Sequence, residues 1–161
     1  MRANDIAMSG EPVFRKARRA DLPAIVELLA DDPINGHRER TGEPLAQGYL
    51  HAFEAITADD ANILVVGELE GAIIATAQIT FIPYLTQQGG KAAIIEAVRV
   101  ASRLRSHGIG EKLMAHLTSL AKARGCVGVQ LVTSRPRVDA QRFYARIGFK
   151  DSHIGYKRDL R

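Results

Sequence analysis

The stretch 94–110, IIEAVRVASRLRSHGIG, constrains the fold of this chain more than any other. It reads as an apolar, β-branched strand, a basic turn, and a glycine-containing loop that opens a helix. Val98 and Val100 close the strand, Arg105, Gly108 and Gly110 form R-x-x-G-x-G, and an amphipathic helix begins at Ile109. A helix start presents unpaired N–H groups and the positive end of the helix dipole. Glycine lets the backbone approach an anion closely, and arginine adds charge. The loop Arg105, Ser106, His107, Gly108, Ile109 and Gly110 is therefore expected to cradle a pyrophosphate. The same glycines also suit a plain strand-to-helix turn, so the flanking sequence has to decide. Neither G-x-x-x-x-G-K-S/T nor G-x-G-x-x-G with a distant acidic residue is present, so neither a P-loop nor a dinucleotide fingerprint is expected.

Composition narrows the partners. The 161 residues are 46% hydrophobic and 25% charged, enough for one domain, 1–161, with a real core. The net charge of +4 is a mild excess that suits a small anion. Aromatic residues are 6% and tryptophan is missing, so nucleic acid, which calls for a basic stripe with interleaved aromatics, is not the expected partner. The single cysteine, Cys126, allows no internal disulfide and is expected to be a buried, inert thiol. Five scattered histidines have no ligand spacing, so no metal is expected. No apolar run is long enough to span a bilayer, so no membrane partner is expected. Residues 1–10 show no signal pattern and are expected to be a flexible tail on a cytoplasmic protein.

Along the chain, 13–17 reads as a strand. Asp21 then caps a helix with Pro23 in its first turn. Residues 31–44 form a polar loop, and Leu45, Tyr49, Leu50, Phe53 and Ile56 recur at helical spacing. Residues 62–68 and 72–82 are strands of a hairpin turning at Glu70-Gly71. After a loop at 84–91, 92–100 is the central strand, with Ile94, Glu96, Val98 and Val100 on one face by simple alternation. A helix over 109–124 stops at Gly125. A strand over 127–133, a short helix over 139–147 and one or two closing strands over 149–157 complete the chain. The order predicts an α/β fold with a mixed, mostly antiparallel sheet and helices on both faces.

This pattern resembles the GNAT superfamily of N-acetyltransferases. Ile95-Glu96-x-Val98-x-Val100 looks like the family's fourth strand, and Arg105-x-x-Gly108-Ile109-Gly110 is similar to its pyrophosphate loop. Ala140-x-x-Phe143-Tyr144-x-x-x-Gly148-Phe149 looks like its closing signature. The resemblance implies a sheet of about six to seven strands, splayed between the fourth and fifth. The pantetheine arm of acetyl-CoA would fill that gap by pairing with the backbone of Val98 and Val100. Arg103 and Arg105 would reach the 3′-phosphate. Arg137 stands where the family often has Asn, so it meets a phosphate or the adenine face, or simply solvent.

Transfer to an amine needs a neutral nucleophile, a polarised thioester and a proton for the thiolate. A lysine-like amine has a pKa of about 10.4, so a general base helps. Glu96, a carboxylate within a strand, is the candidate base; an ion pair or plain exposure would equally explain it. The N–H of Val98 would polarise the carbonyl. Tyr144 is similar to the tyrosine that protonates the CoA sulfur in many relatives, and it equally suits packing beside Phe143. Direct attack in a ternary complex is expected.

The acceptor is expected to be a small-molecule or peptide amine, bound by 31–49 and 82–90. Asp31, Asp32, Glu39 and Glu43 would attract a cationic amine, although His37, Arg38 and Arg40 mix the field. Two other readings stand beside the enzyme: a non-catalytic CoA-binding sensor, and a basic nucleic-acid-binding domain using Arg15, Lys16, Arg18, Arg19, Lys157, Arg158 and Arg161. The family analogy also implies a homodimer paired through 149–160.

Overall fold

The computed structural model describes residues 10–160; residues 1–9 of the expected tail, and Arg161, lie outside them. The chain forms two compact units, Met1–Gln130 and Leu131–Arg161. The first carries β1 (Val13–Lys16), α1 (Leu22–Ala30), α2 (Gln47–Thr57), β2 (Asn62–Leu69), β3 (Ala72–Pro83), the single turn α3 (Thr86–Gly89), β4 (Lys91–Val100) and α4 (Ile109–Ala123). The strand β5 (Gly128–Leu131) ends at the boundary, and the second unit holds α5 (Val138–Arg146).

The sheet has five strands in the order β1-β2-β3-β4-β5. The first three pairings are antiparallel. The connection from β4 to β5 runs through α4, as a parallel neighbour requires. At the start of both strands the Val127 N–H donates to Lys91 O over 2.8 Å. The β2–β3 turn has Glu70 at φ 50° and Gly71 at φ 79°, both left-handed, the geometry that matches strand twist in a two-residue hairpin.

The two faces are covered by different helices. Leu22 and Ile25 of α1 pack on Val66, with Leu50 and Phe53 of α2 and Leu64 of β2 beside them. On the opposite face Phe14, paired with Gly67, stacks on His116 of α4 with ring centroids 5.5 Å apart. A Cβ at Gly67 would lie 2.9 Å from that ring, which is why glycine stands there. The buried stripe of α4 is Ile109, Leu113, Met114, Leu117 and Ala121. Burying each large apolar side chain contributes about 1.5–3 kcal/mol.

Three expectations are corrected. The described residues carry five strands rather than six to seven, because 149–157 forms none. A strand persists only where a neighbour takes its N–H and C=O groups, and 150–160 lie exposed. Asp21 precedes α1 but does not cap it with its side chain. Its carboxylate accepts the Arg18 N–H (2.7 Å) and both terminal nitrogens of Arg15 (2.7 and 3.0 Å). The Arg15 guanidinium, which also reaches Glu68, holds the Asp21 carboxyl below its usual range against the opposing effect of burial. Cys126 is half-buried. Among the described residues no helix is long and apolar enough to cross a membrane, and no cluster of metal-ligating side chains occurs.

Candidate active site

The far end of β4 is irregular. Gln78 pairs with Glu96 and Thr76 with Arg99, so two residues of β4, Ala97 and Val98, oppose the single Ala77. This is a β-bulge, and Ala97 takes the left-handed backbone it needs, φ 52°. The extra residue reverses the alternation. Ile95, opposite Ile79, faces α4, whereas Glu96, opposite Gln78, faces α1 and α2. Beyond the bulge Arg99, opposite Thr76, lies on the face of Glu96, and Val100, opposite Ala75, on the other. The expectation that Glu96 and Val100 share a face is thus overturned by one inserted residue. Glu96 is exposed at the edge of the bulge, on the α1/α2 side.

The backbone of the bulged end points outward. The Ala101 N–H donates to Ile74 O of β3 over 2.9 Å, so alternation turns the polar groups of Val98 and Val100 away from β3. Both carbonyls meet arginines of the same chain: Arg99 Nη1 donates to Val98 O (2.8 Å) and Arg105 Nε to Val100 O (3.2 Å).

The cradle follows. Ser102–Leu104 forms a 3-10 turn, Ser106 is left-handed at φ 66°, and Gly108, at φ 78°, precedes α4. The first helical bond of α4 is Lys112 N–H to Gly108 O, 3.1 Å. The N–H groups of Gly108, Ile109, Gly110 and Glu111 precede it, at the positive end of a 15-residue helix. A Cβ on Gly108 would meet no heavy atom within 4 Å, so the space beside it is open. An anion of phosphate type fits these features. The side chain of Arg105 is turned back into the protein, donating also to Asp31 O over 2.8 Å, and it props the loop. The exposed His107 ring lies 2.8 Å from Arg105 O.

The acceptor-side loop departs from expectation in its charge. Asp31 accepts the Ser102 N–H (2.7 Å), and buried Asp32 pairs with Arg99 Nη2 (2.7 Å). Glu39 takes the Tyr49 hydroxyl at 2.8 Å. Burial is the largest influence raising that phenol's pKa. Three of the four carboxylates named for a cationic amine therefore bond within the protein. Arg99 was not singled out by sequence, and its only signal was its place between the two valines.

In the second unit, Tyr144 lies on α5, half-buried, with edge-to-face contacts to Phe143 (5.2 Å) and Phe149 (5.9 Å). The Phe149 N–H closes onto Tyr144 O at 3.0 Å. Arg137 occupies the N-cap of α5, its carbonyl accepting the Gln141 N–H.

A bulged fourth strand leading through a glycine loop into a helix start leaves outward backbone groups next to an anion-binding helix end. The family model for the GNAT acetyltransferase family matches residues 22–149. The chain belongs to that family, whose members use acetyl-CoA, and is an acetyltransferase. It is 32% identical over 132 residues to a glucosamine 6-phosphate N-acetyltransferase of Arabidopsis thaliana, covering 80% of this chain and 83% of that one. It is 28% identical over 128 residues to an aminoglycoside N(6')-acetyltransferase type 1 of Serratia marcescens, covering 77% and 80%. Among solved structures, one described as a transcriptional regulator from Bacillus halodurans C-125 superposes with a TM-score of 0.90 at 43% identity, covering 93% of this chain and 100% of that one.

Proposed function

We propose that this protein moves the acetyl group of acetyl-CoA to a primary amine of a small-molecule acceptor, by direct attack in a ternary complex in the cytoplasm. The observation that carries the reading is the bulge at Ala97, which turns the backbone of Val98 and Val100 outward just before the Gly108 cradle. In this reading Val98 and Val100 pair with the pantetheine amides, which fill a splay between β4 and β5. The Val98 N–H polarises the thioester carbonyl, and the loop from Ser106 to Gly110 binds the pyrophosphate, with Arg105 as its brace. Glu96 accepts the proton of the attacking amine, directly or through water. Exposure beside the bulge leaves its carboxylate within reach of an entering amine or a bridging water. Tyr144 as proton donor to the CoA thiolate, and Arg137 as a phosphate or adenine contact, rest on the family resemblance. The named relatives, acting on an amino sugar phosphate and on aminoglycosides, support a small polar amine as acceptor.

Calorimetric titration with acetyl-CoA, CoA and ATP tests the cradle. A panel of glucosamine 6-phosphate, an aminoglycoside and a short peptide, followed by thiol release, tests transfer. Binding of acetyl-CoA and CoA but not ATP, with release on at least one amine, is expected. The description of the Bacillus halodurans relative as a transcriptional regulator favours one second reading, a CoA-binding sensor. Tight CoA binding with no thiol release across the panel would select it. No binding at all would sink both.

A further inference from the structure

Asp31 and Asp32 stand where α1 passes into the acceptor-side loop, and each is tied to the segment that leads into the cradle. The Asp31 carboxylate accepts the Ser102 N–H at 2.7 Å, and its carbonyl accepts Arg105 Nη2 at 2.8 Å. The Asp32 carboxylate, with 1% of its side chain exposed, holds Arg99 Nη2 at 2.7 Å, and the same guanidinium holds Val98 O. Two consecutive residues thus grip the bulged strand, the 3-10 turn and the arginine that opens the cradle.

Asp32 also fixes the loop that follows. Asp32 Oδ1 accepts the Ile34 N–H at 3.0 Å, and Asp32 O accepts the Gly36 N–H at 2.8 Å. At Gly36 there is no slack, since a Cβ there would lie 2.1 Å from Ala30 O. Glu39 and the Arg40 N–H then both meet the Tyr49 hydroxyl, which belongs to α2. An unbroken run of hydrogen bonds and close packing therefore links 98–105 to the wall of the acceptor side. Charge-assisted bonds in a low-dielectric setting are the stiff ones in such a run.

We propose that Asp31 and Asp32 are positioning residues that transmit occupancy of the cofactor cradle to the acceptor-side loop. The proposal rests on the reading of 105–110 as a CoA site. A ligand that draws the cradle closed shifts Ser102 and Arg105, and Asp31 must follow because both of its polar groups are engaged there. Coupling of this kind is reciprocal, so an acceptor that orders the loop also tightens the cradle.

The test is hydrogen exchange read by mass spectrometry, with CoA as the probe. Ser102→Pro deletes one tie and little else. Position 102 begins a 3-10 turn, where proline is tolerated, and Ala101 already has the extended backbone a proline requires before it, φ −47° and ψ 131°. In the wild-type chain CoA is expected to slow exchange at 105–111 and, by about tenfold, at 33–41. Ser102→Pro is expected to keep the first effect and to weaken the second, the Asp32–Arg99 tie remaining. A purely structural role for the tie would raise exchange with and without CoA alike and leave the CoA-induced difference intact. Should Ser102→Pro not fold, Asp31→Ala, which removes the carboxylate that accepts the Ser102 N–H, gives the same readout. Protection at 105–111 without any at 33–41 in the wild type overturns this proposal alone. So does undiminished loop protection in the variant. Absence of protection at 105–111 overturns the CoA reading and this proposal together.

Discussion

Gly108→Ala separates a phosphate cradle from a mere turn, provided that it is compared with Gly125→Ala. Both glycines are left-handed, at φ 78° and φ 74°, and at both an added Cβ meets no heavy atom within 4 Å. Neither substitution creates a clash, so each is expected to cost only the left-handed penalty of an L-residue, about 1–2 kcal/mol. They differ in place: Gly108 opens α4, and Gly125 follows its last turn. In the proposed complex the open space beside Gly108 holds the pyrophosphate. A methyl group there displaces it and breaks at least one charge-assisted bond. The loss of one such bond costs about 1.5–3 kcal/mol, or about 10- to 150-fold in Kd. Urea melts should therefore show two variants of similar stability. Calorimetry with CoA should show wild-type affinity for Gly125→Ala and at least tenfold weaker binding for Gly108→Ala. Equal CoA affinity in the two variants would refute the cradle, whatever their stabilities.

Tyr144→Phe keeps the ring that meets Phe143 and Phe149 and removes only the hydroxyl, so CoA affinity should hold while turnover falls by about 100-fold or more; unchanged kcat in a thiol-release assay removes Tyr144 as the proton donor. Asp21 has its carboxyl held low in the folded chain by Arg15, so its contribution is present above the unfolded carboxylate range and lost as pH falls through the folded value. Denaturant melts across acidic pH should show wild-type stability dropping more steeply than that of Asp21→Asn; parallel curves would mean that the pair contributes nothing to acid sensitivity.

Much of the framework was legible because it is local. Glycine after a helix, a Glu-Gly pair between β-branched runs and an apolar stripe at helical spacing each act within a few residues. They placed α4, the β2–β3 hairpin and the glycine turn that opens α4. The bulge escaped because its left-handed residue is Ala97, and nothing in an alanine announces a positive φ. Strict alternation then set Val100 on the wrong face. The roles of Asp31 and Asp32 escaped for another reason. Their partners Ser102, Arg99 and Arg105 lie about seventy positions away, and a surface-like Asp-Asp pair reads as solvent-facing until the fold brings arginine to it. The segment 149–157 misled in the opposite sense. Ile154 and Tyr156 alternate as in a strand, but alternation describes a surface, and only a neighbouring ladder makes a strand.

The arginines on Val98 and Val100 bear on a hazard common to sheet proteins. A strand whose outward carbonyls and amides lie bare is a template for any extended chain that drifts by, and such edges seed aggregation. In the proposed complex, where the cosubstrate pairs with this strand, that template cannot be buried permanently. Here the bulge blunts its regular spacing, while Arg99 and Arg105 fold guanidinium groups over its two carbonyls. A foreign β-strand would need the regular ladder and both acceptors. A slender arm with only a few amides can share an oxygen that already has one donor, because a carbonyl has two lone pairs. In the proposed complex the guarded edge would therefore discriminate by how much backbone a visitor brings.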